Sequence, residues 1–344
     1  MLRYATGIEC GINPLTVGGG AATITADTTG PNGGTYALKI VSTSTAWSLA
    51  VPPWAAGSSA DEVLLQIAAK KPSSTPSATA FLAIQVSSTN FVNIALNTDD
   101  TVQAYRSSTS GALTTSIGAA SVTTWTNGVW HTIWVRVKPS TTTTGIVEIW
   151  MDGTRIVNLT SVVTCGNALD TSRGVTVLRY CNLNDTEWLD DVVVCDSTTG
   201  LGSAGVPEPL KIESAYVPTG DSSVQWTRSA GATNASCLDE LPFSAADSVT
   251  SSTVGQRDVI DFADRAASPV IRGVVGWALA KNPDGGAGTF KLGIRSVSTE
   301  VQTATTSLTA TDTMVNLITE NDPNTGVAWT NSGLNAAKLT LEVV

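Results

Sequence analysis

Residues 130–153 alternate polar and apolar side chains in two runs, separated by the polar loop Pro139–Gly145. In the first run one face carries His131, Ile133, Val135 and Val137; in the second, one face carries Val147, Ile149 and Met151. A period of two indicates β-strands, so the stretch predicts a hairpin. If the aliphatic sets share a face, Trp134 and Trp150 share the opposite one, with Arg136 within cross-strand reach of Glu148.

Shorter alternating runs recur through residues 1–200 and are separated by turn-forming residues such as Gly30–Gly34 and Asn97–Asp100. We expect strands at 36–41, 63–69, 80–86, 91–96, 102–106, 175–180 and 188–195. Val, Ile, Thr and Trp dominate these runs, and long helix-forming stretches are almost absent. The pattern predicts an all-β fold of the sandwich type.

At 344 residues the chain is long enough for two domains. Residues 201–209 lack periodicity and contain Pro207 and Pro209, so we expect a semi-rigid linker between a domain at 1–200 and another at 210–344. In the second domain we expect strands at 224–227, 270–281, 289–297, 313–319 and 338–343. Residues 282–288 are expected to join the second and third of these as a hairpin loop.

Composition excludes several partners. The chain has 19 basic and 29 acidic residues, a net charge of about -10, which argues against nucleic-acid binding. No apolar run approaches the roughly 20 residues of a membrane helix, and the N-terminus lacks a secretory signal, so we expect a soluble protein without membrane insertion. Five cysteines without CxxC spacing favour free thiols over disulfides or zinc.

The first domain resembles the concanavalin A-like, or laminin-G-like, jelly roll. The resemblance covers residues 5–197 and rests on the opening 6–11, the strand 36–40, the hairpin just described and the closing 188–194. It implies two curved antiparallel sheets that bind carbohydrate or protein.

The second domain resembles the C-terminal module of tailed-bacteriophage virion proteins. The residues that carry this resemblance are Gln225–Thr227, Cys237–Pro242 and Asn321–Thr330, followed by Leu334 and Asn335. It implies a structural piece of a virus particle, assembled in the bacterial cytoplasm. Such sandwiches often associate through flat faces, and we expect a homotrimer that contacts major capsid or tail proteins.

Catalytic chemistry finds little support in the sequence. His131 is the single histidine and lies on the apolar side of a strand, so we expect a structural role for it. Jelly-roll glucanases carry a Glu-x-Asp-x-x-Glu strand; here Glu148 is followed by Trp150 at the second acidic position, which argues against hydrolysis. We therefore expect no enzymatic activity and no cofactor.

Two kinds of binding remain open. Trp134 and Trp150, flanked by Arg136 and Glu148, form either a sugar-stacking platform or a face covered by a neighbouring domain or subunit. Laminin-G-like folds often bind calcium, and Asp152, Glu187 and Asp190 are the candidates for its ligands, although the sequence has no typical calcium loop.

The leading hypothesis is a noncatalytic virion protein: a capsid decoration, head fibre or tail-associated subunit. It would stabilise the particle or present a domain to host surface polysaccharide. The alternative is a carbohydrate-binding module or a glycan-active, lectin-like protein.

Overall fold

The computed structural model describes residues 2–6, 16–19, 22–28, 37–42, 47–75, 77–178, 185–196, 210–212, 218–239, 246–266 and 270–344. The chain divides into two compact units, Met1–Glu213 and Ser214–Val344. The paired strands in both units run antiparallel, and the one α-helix among the described residues is a short segment, α1 (Asn331–Asn335). The predicted all-β fold is confirmed.

The first unit contains fifteen strands among its described residues. They are β1 Leu2–Thr6, β2 Thr16–Gly19, β3 Ala22–Asp27, β4 Ala37–Ser42, β5 Trp47–Ala55, β6 Val63–Lys70, β7 Thr79–Ser87, β8 Asn90–Leu96, β9 Val102–Ser107, β10 Thr115–Ile117, β11 His131–Lys138, β12 Gly145–Met151, β13 Thr154–Val162, β14 Ser172–Leu178 and β15 Thr186–Asp196.

These strands form two sheets of a jelly-roll sandwich. The eight-stranded sheet has the order β13-β12-β11-β6-β15-β4-β3, with β1 also paired to β15. The seven-stranded sheet has the order β10-β9-β8-β7-β14-β5-β2. Aliphatic side chains from both sheets form the core between them; Leu65, Ile133, Ile84 and Val92 have no or almost no exposed surface. Burying one face of each strand is what the alternating sequence requires.

The predicted hairpin is β11 and β12. Trp134 is the register partner of Trp150, and Arg136 is the register partner of Glu148, as expected. The chain then turns tightly into β13 through Asp152 and Gly153, whose φ values of 52° and 80° are left-handed. Two such residues in a two-residue loop favour a turn whose twist matches that of the flanking strands.

The second unit contains ten strands among its described residues, and a 3₁₀ helix at Ala235–Cys237. The strands are β16 Pro218–Ser223, β17 Thr227–Arg228, β18 Val249–Thr250, β19 Arg257–Phe262, β20 Val274–Ala280, β21 Gly288–Ser296, β22 Thr299–Gln302, β23 Thr306–Leu308, β24 Thr313–Thr319 and β25 Ala337–Val343. A six-stranded sheet has the order β16-β19-β25-β21-β22, with β23 on β21. The pairs β17-β18 and β20-β24 form separate ribbons.

Two expectations for the second unit are wrong. Residues 282–288 do not close a hairpin, because β20 pairs with β24 whereas β21 pairs with β25 in the other sheet. Residues 224–227 are not one strand; residues 224–226 lie between β16 and β17, and Thr227 is the first residue of β17. The strands separate because each apolar face needs a partner to pack against. Phe290 and Leu292 of β21 form a core with Val315 of β24 and Leu341 of β25.

The segment Leu210–Ile212, which the sequence assigns to the second domain, is hydrogen-bonded to the first unit. The Gln66 amide accepts from Leu210 N at 2.6 Å and donates to Leu210 O at 2.7 Å. Asp191 Oδ1 accepts from Ile212 N at 2.8 Å. The expected linker, residues 201–209, lies outside the described residues, as do Cys10 and Cys181. Cys165 and Cys237 are buried free thiols, and Cys195 is also buried. Over the described parts of the chain, no helix has the length and hydropathy to span a membrane.

Candidate functional site

The outer face of the seven-stranded sheet carries polar side chains in the middle of the first unit. On β7 the inward Ile84 and Val86 are completely buried, so Gln85 between them points outward. Register pairing aligns Asn93 of β8 with Ala83 of β7 and with Tyr105 of β9. On the other side of β7, Thr176 of β14 also aligns with Ala83. These side chains therefore share one surface.

Two of these residues present hydrogen-bonding groups that are at least partly accessible. The Tyr105 hydroxyl donates to Gln103 Oε1 at 2.9 Å, and both residues are half-buried. The Gln85 side chain lies over Gly174, where an added Cβ would lie 3.0 Å from Gln85 Oε1. Glycine at this position leaves room for the Gln85 amide to lie flat on the sheet.

The outward side chains on β7, β8, β9 and β14 are uncharged, and Tyr105 is the ionisable one among them. The set combines amides, hydroxyls, a phenol and apolar side chains that include Phe91 and Leu178. Amides and hydroxyls both donate and accept hydrogen bonds, which suits a ligand that is rich in hydroxyl groups.

The loop of residues 108–114, between β9 and β10, lies across this face. Asn93 Nδ2 donates to Thr109 O at 3.2 Å and to Ala112 O at 2.8 Å, and Gly111 N donates to Asn93 Oδ1 at 2.9 Å. A Cβ on Gly111 would lie 3.1 Å from Leu178 Cδ1, so the loop reaches from β8 to β14.

Trp134 and Trp150 share a face of the other sheet, but neither offers an exposed ring. Their exposed fractions are 1% and 2%. The neighbouring charges pair with each other: Arg136 contacts Glu62 at 2.7 Å and Glu148 at 2.9 Å, and Arg155 contacts Glu148 at 2.8 Å. Hydrogen bonding to the Glu62 carboxylate raises the pKa of Arg136. This ion-pair network leaves no free charge on Arg136 or Glu148 for a ligand.

The calcium candidates do not converge. Asp152 follows β12, and its N–H donates to Thr132 O on β11. Thr132 is the register partner of Ala68 on β6, and Ala68 is the register partner of Asp190 on β15. Asp152 is therefore three strands from Asp190, about 14 Å at the usual strand spacing. Across the described residues, no cluster of three His, Cys, Asp or Glu side chains could hold a metal ion, and Glu187 belongs to no such cluster.

Asp152 instead holds His131. The imidazole Nδ1 lies 2.6 Å from Asp152 Oδ2, and Thr132 N donates to Asp152 Oδ1 at 2.9 Å. His131 Nε2 lies 3.2 Å from Thr126 N, and the ring packs edge-on against Trp125 with a centroid distance of 5.0 Å. With 6% exposure, His131 is buried among these contacts.

The alternating runs at 80–86 and 102–106 predict the strands, but the polar side of each run was not identified from the sequence. Gln85, Gln103 and Tyr105 occupy the outward positions of those runs. Two signals were available: Gln85 is the single polar residue of the run 80–86, and Gln103 and Tyr105 alternate with Val102 and Ala104.

A family model described as polysaccharide lyase matches residues 42–174. Three solved structures illustrate the similarity of the chain to known folds. An endo-β-1,4-glucuronan lyase from the fungus Trichoderma reesei is 15% identical, with a TM-score of 0.45, covering 58% of this chain and 96% of that one. An alginate lyase from Aplysia kurodai is 14% identical, with a TM-score of 0.42, covering 57% and 99%. An alginate lyase from Chlorella virus is 11% identical, with a TM-score of 0.39, covering 56% and 99%. No curated protein matches the chain.

The family match corrects three expectations. The resemblance to phage virion structural proteins, the noncatalytic role in a particle and the absence of enzymatic activity are wrong, because the region expected to be an adhesive sandwich matches a model of polysaccharide lyases. The glycan-active alternative fits this match better. The resemblance to a concanavalin A-like jelly roll gave the correct fold, but the fold serves many functions and does not specify one.

Proposed function

We propose that the first unit binds a uronate-containing polysaccharide on the outer face of the seven-stranded sheet and cleaves it by β-elimination. The observation that carries the proposal is the position of the family match. Residues 42–174 begin in β4, end in β14 and contain β7, β8 and β9, the strands that supply Gln85, Gln103 and Tyr105. A uronate is the substrate class because elimination needs an acidic C–H next to a carboxylate.

β-Elimination combines three bond changes. A base removes the proton beside the uronate carboxylate, the electron pair forms a C=C bond, and the glycosidic C–O bond breaks as its oxygen takes up a proton. Tyr105 is the candidate for proton transfer, since a phenol can act as base and as acid. The Gln85 amide is the candidate donor to the carboxylate of a second uronate farther along the same chain, because Gln85 lies two strands from Tyr105 and its side chain makes no hydrogen bond to the described residues.

Binding without cleavage is the second candidate. It is favoured by the lack of charge on the outward side chains of β7, β8, β9 and β14, since a polyanionic substrate is usually held by cations. The two candidates predict different consequences of removing the Tyr105 hydroxyl.

The test is turnover of alginate and glucuronan, the polymers named for the similar structures, followed by the ultraviolet absorbance of the unsaturated uronate product. Tyr105→Phe should abolish turnover and retain affinity, whereas Gln85→Ala should raise KM. Asn158→Ala, at an exposed position of β13, is the control. Binding with no unsaturated product from the wild type would establish the second candidate, and no binding of any polyuronate would refute both. The homotrimer stays a prediction.

A further inference from the structure

The loop of residues 108–114 covers the centre of the outer face. Asn93 and Ala83 both face outward, yet their exposed fractions are 0% and 1%. The neighbours in their row do not account for this burial, because the residue between Asn93 and Thr176 is Ala83 itself, which has a small side chain. The loop that bonds to Asn93 and contacts Leu178 crosses this position.

The covered position lies between the two candidate functional residues. Tyr105 is on β9, Asn93 on β8 and Gln85 on β7, so the two candidates are two strands and two residues apart, about 12 Å, with the loop across the intervening strand. One sugar chain cannot contact Tyr105 and Gln85 together while the loop occupies the space above Asn93.

The loop is attached chiefly through one side chain. The Asn93 amide uses both its donor and its acceptor groups on the backbone of Thr109, Gly111 and Ala112. No residue of the loop is fully buried: Ser108, Thr109, Ser110 and Thr114 are exposed, and residues 111–113 are half-buried. The hydroxyls of Ser107 and Thr114 lie 3.1 Å apart at the base, where the chain leaves and re-enters the sheet. A segment with few buried apolar contacts opens at low free-energy cost.

We propose that Asn93 is a positioning residue that holds the 108–114 loop closed, and that this loop determines which glycans bind. In the closed position short oligosaccharides bind on one side of the loop, and a polymer that extends from Tyr105 to Gln85 requires the loop to open. This inference rests on the proposed function.

Two variants test it. In one, residues 108–113 are replaced by Asn-Gly, which keeps Ser107 opposite Thr114 and forms a two-residue hairpin without changing the sheet. The other is Asn93→Ala. Asn158→Ala is the control, and thermal unfolding verifies that each variant is folded. Binding is measured with polymeric alginate and with an alginate trisaccharide, and exchange of the Gly111 amide hydrogen is measured without glycan.

The shortened loop should tighten polymer binding, by about tenfold if one wild-type molecule in ten is open, and leave trisaccharide affinity unchanged. Asn93→Ala should speed exchange at Gly111 and shift polymer binding in the same direction. Equal or weaker polymer binding by the shortened variant would overturn the inference while leaving the proposed function intact, as would unchanged exchange at Gly111 in Asn93→Ala. If no form binds either glycan, the proposed function and this inference both fail.

Discussion

Trp134 and Trp150 lie directly opposite each other on β11 and β12, and both indoles are buried. The sequence predicts their common face correctly. Their burial leaves no ring available to stack on a sugar. Cross-strand aromatic pairs stabilise a sheet, so their role in this chain is to support the fold.

Replacing Trp150 should therefore affect stability and not glycan binding. Trp150→Ala should destabilise the first unit by about 3–5 kcal/mol, because it leaves a large cavity. Chemical denaturation of the full chain measures this loss, with Val122→Ala as a control, since Val122 is 97% exposed. A loss of glycan affinity in folded Trp150→Ala protein would instead support the stacking platform.

The buried pair Lys71 and Asp100 should make the stability of the first unit depend on pH in the acidic range. Lys71 Nζ lies 2.6 Å from Asp100 Oδ1, and its side chain has no exposed surface. Burial by itself would raise the pKa of the Asp100 carboxyl, but hydrogen bonds from Lys71, Ser74 and Thr75 hold this pKa below its usual value. A carboxyl with a depressed folded pKa contributes stability above its unfolded pKa, about 3.9, and loses that contribution as the pH falls through the folded pKa.

Wild-type protein should therefore lose stability below that range, and Asp100→Asn should remove this part of the pH dependence. The difference in unfolding midpoint between the two proteins should be large at neutral pH and shrink in acid. Asp284→Asn, at an exposed position of the other unit, controls for the general effect of acid. A constant difference across the pH range would exclude Asp100 as the titrating group.

Arg173 should tolerate no substitution, including lysine. Its buried guanidinium donates to six backbone oxygens, those of Val86, Asp170, Ser172, Ser58, Ser59 and Asp61. Desolvation lowers the pKa of this group. Arg173→Lys loses the planar set of donors and should cost at least about 3 kcal/mol, since buried carbonyls are left without partners.

Arg155→Lys is the matched control for Arg173→Lys. Arg155 is 45% exposed in its side chain and makes an ion pair with Glu148, so the change should cost less than about 1 kcal/mol. Urea unfolding curves of both variants give the comparison. Similar losses in the two would show that the backbone contacts of Arg173 contribute little.

Val297 should be replaceable with a gain in stability. It lies in the turn between β21 and β22 with φ at 53°, a left-handed value that is unfavourable for a β-branched residue, and it is 57% exposed. Val297→Gly should stabilise the second unit by about 1 kcal/mol by relieving this strain. Ser298→Gly, next in the turn, should give no gain in the same thermal unfolding measurement; an equal gain would point to general turn flexibility.

The strands of the first unit were largely predictable. The run at 80–86 became β7, Thr79–Ser87, and the run at 91–96 became β8, Asn90–Leu96. Alternation is a local property, since each strand buries one face whatever its neighbours are. The loop at 282–288 shows the limit: its turn residues are compatible with a hairpin, yet the flanking strands join different sheets.

The amino-acid sequence alone predicts an all-β protein, the position of most strands of the first unit and the side chains that share a face, because a two-residue period follows from the backbone of a strand. The burial of Trp134 and Trp150, and the hydrogen bonds by which Asn93 holds a loop over the polar face, become visible only in the folded chain. The Asn93 bonds join residues 16 and 19 positions apart, and the bonds of Arg173 to Ser58 and Ser59 join residues 115 and 114 apart. Such contacts depend on how strands pair and stack, which no local pattern encodes.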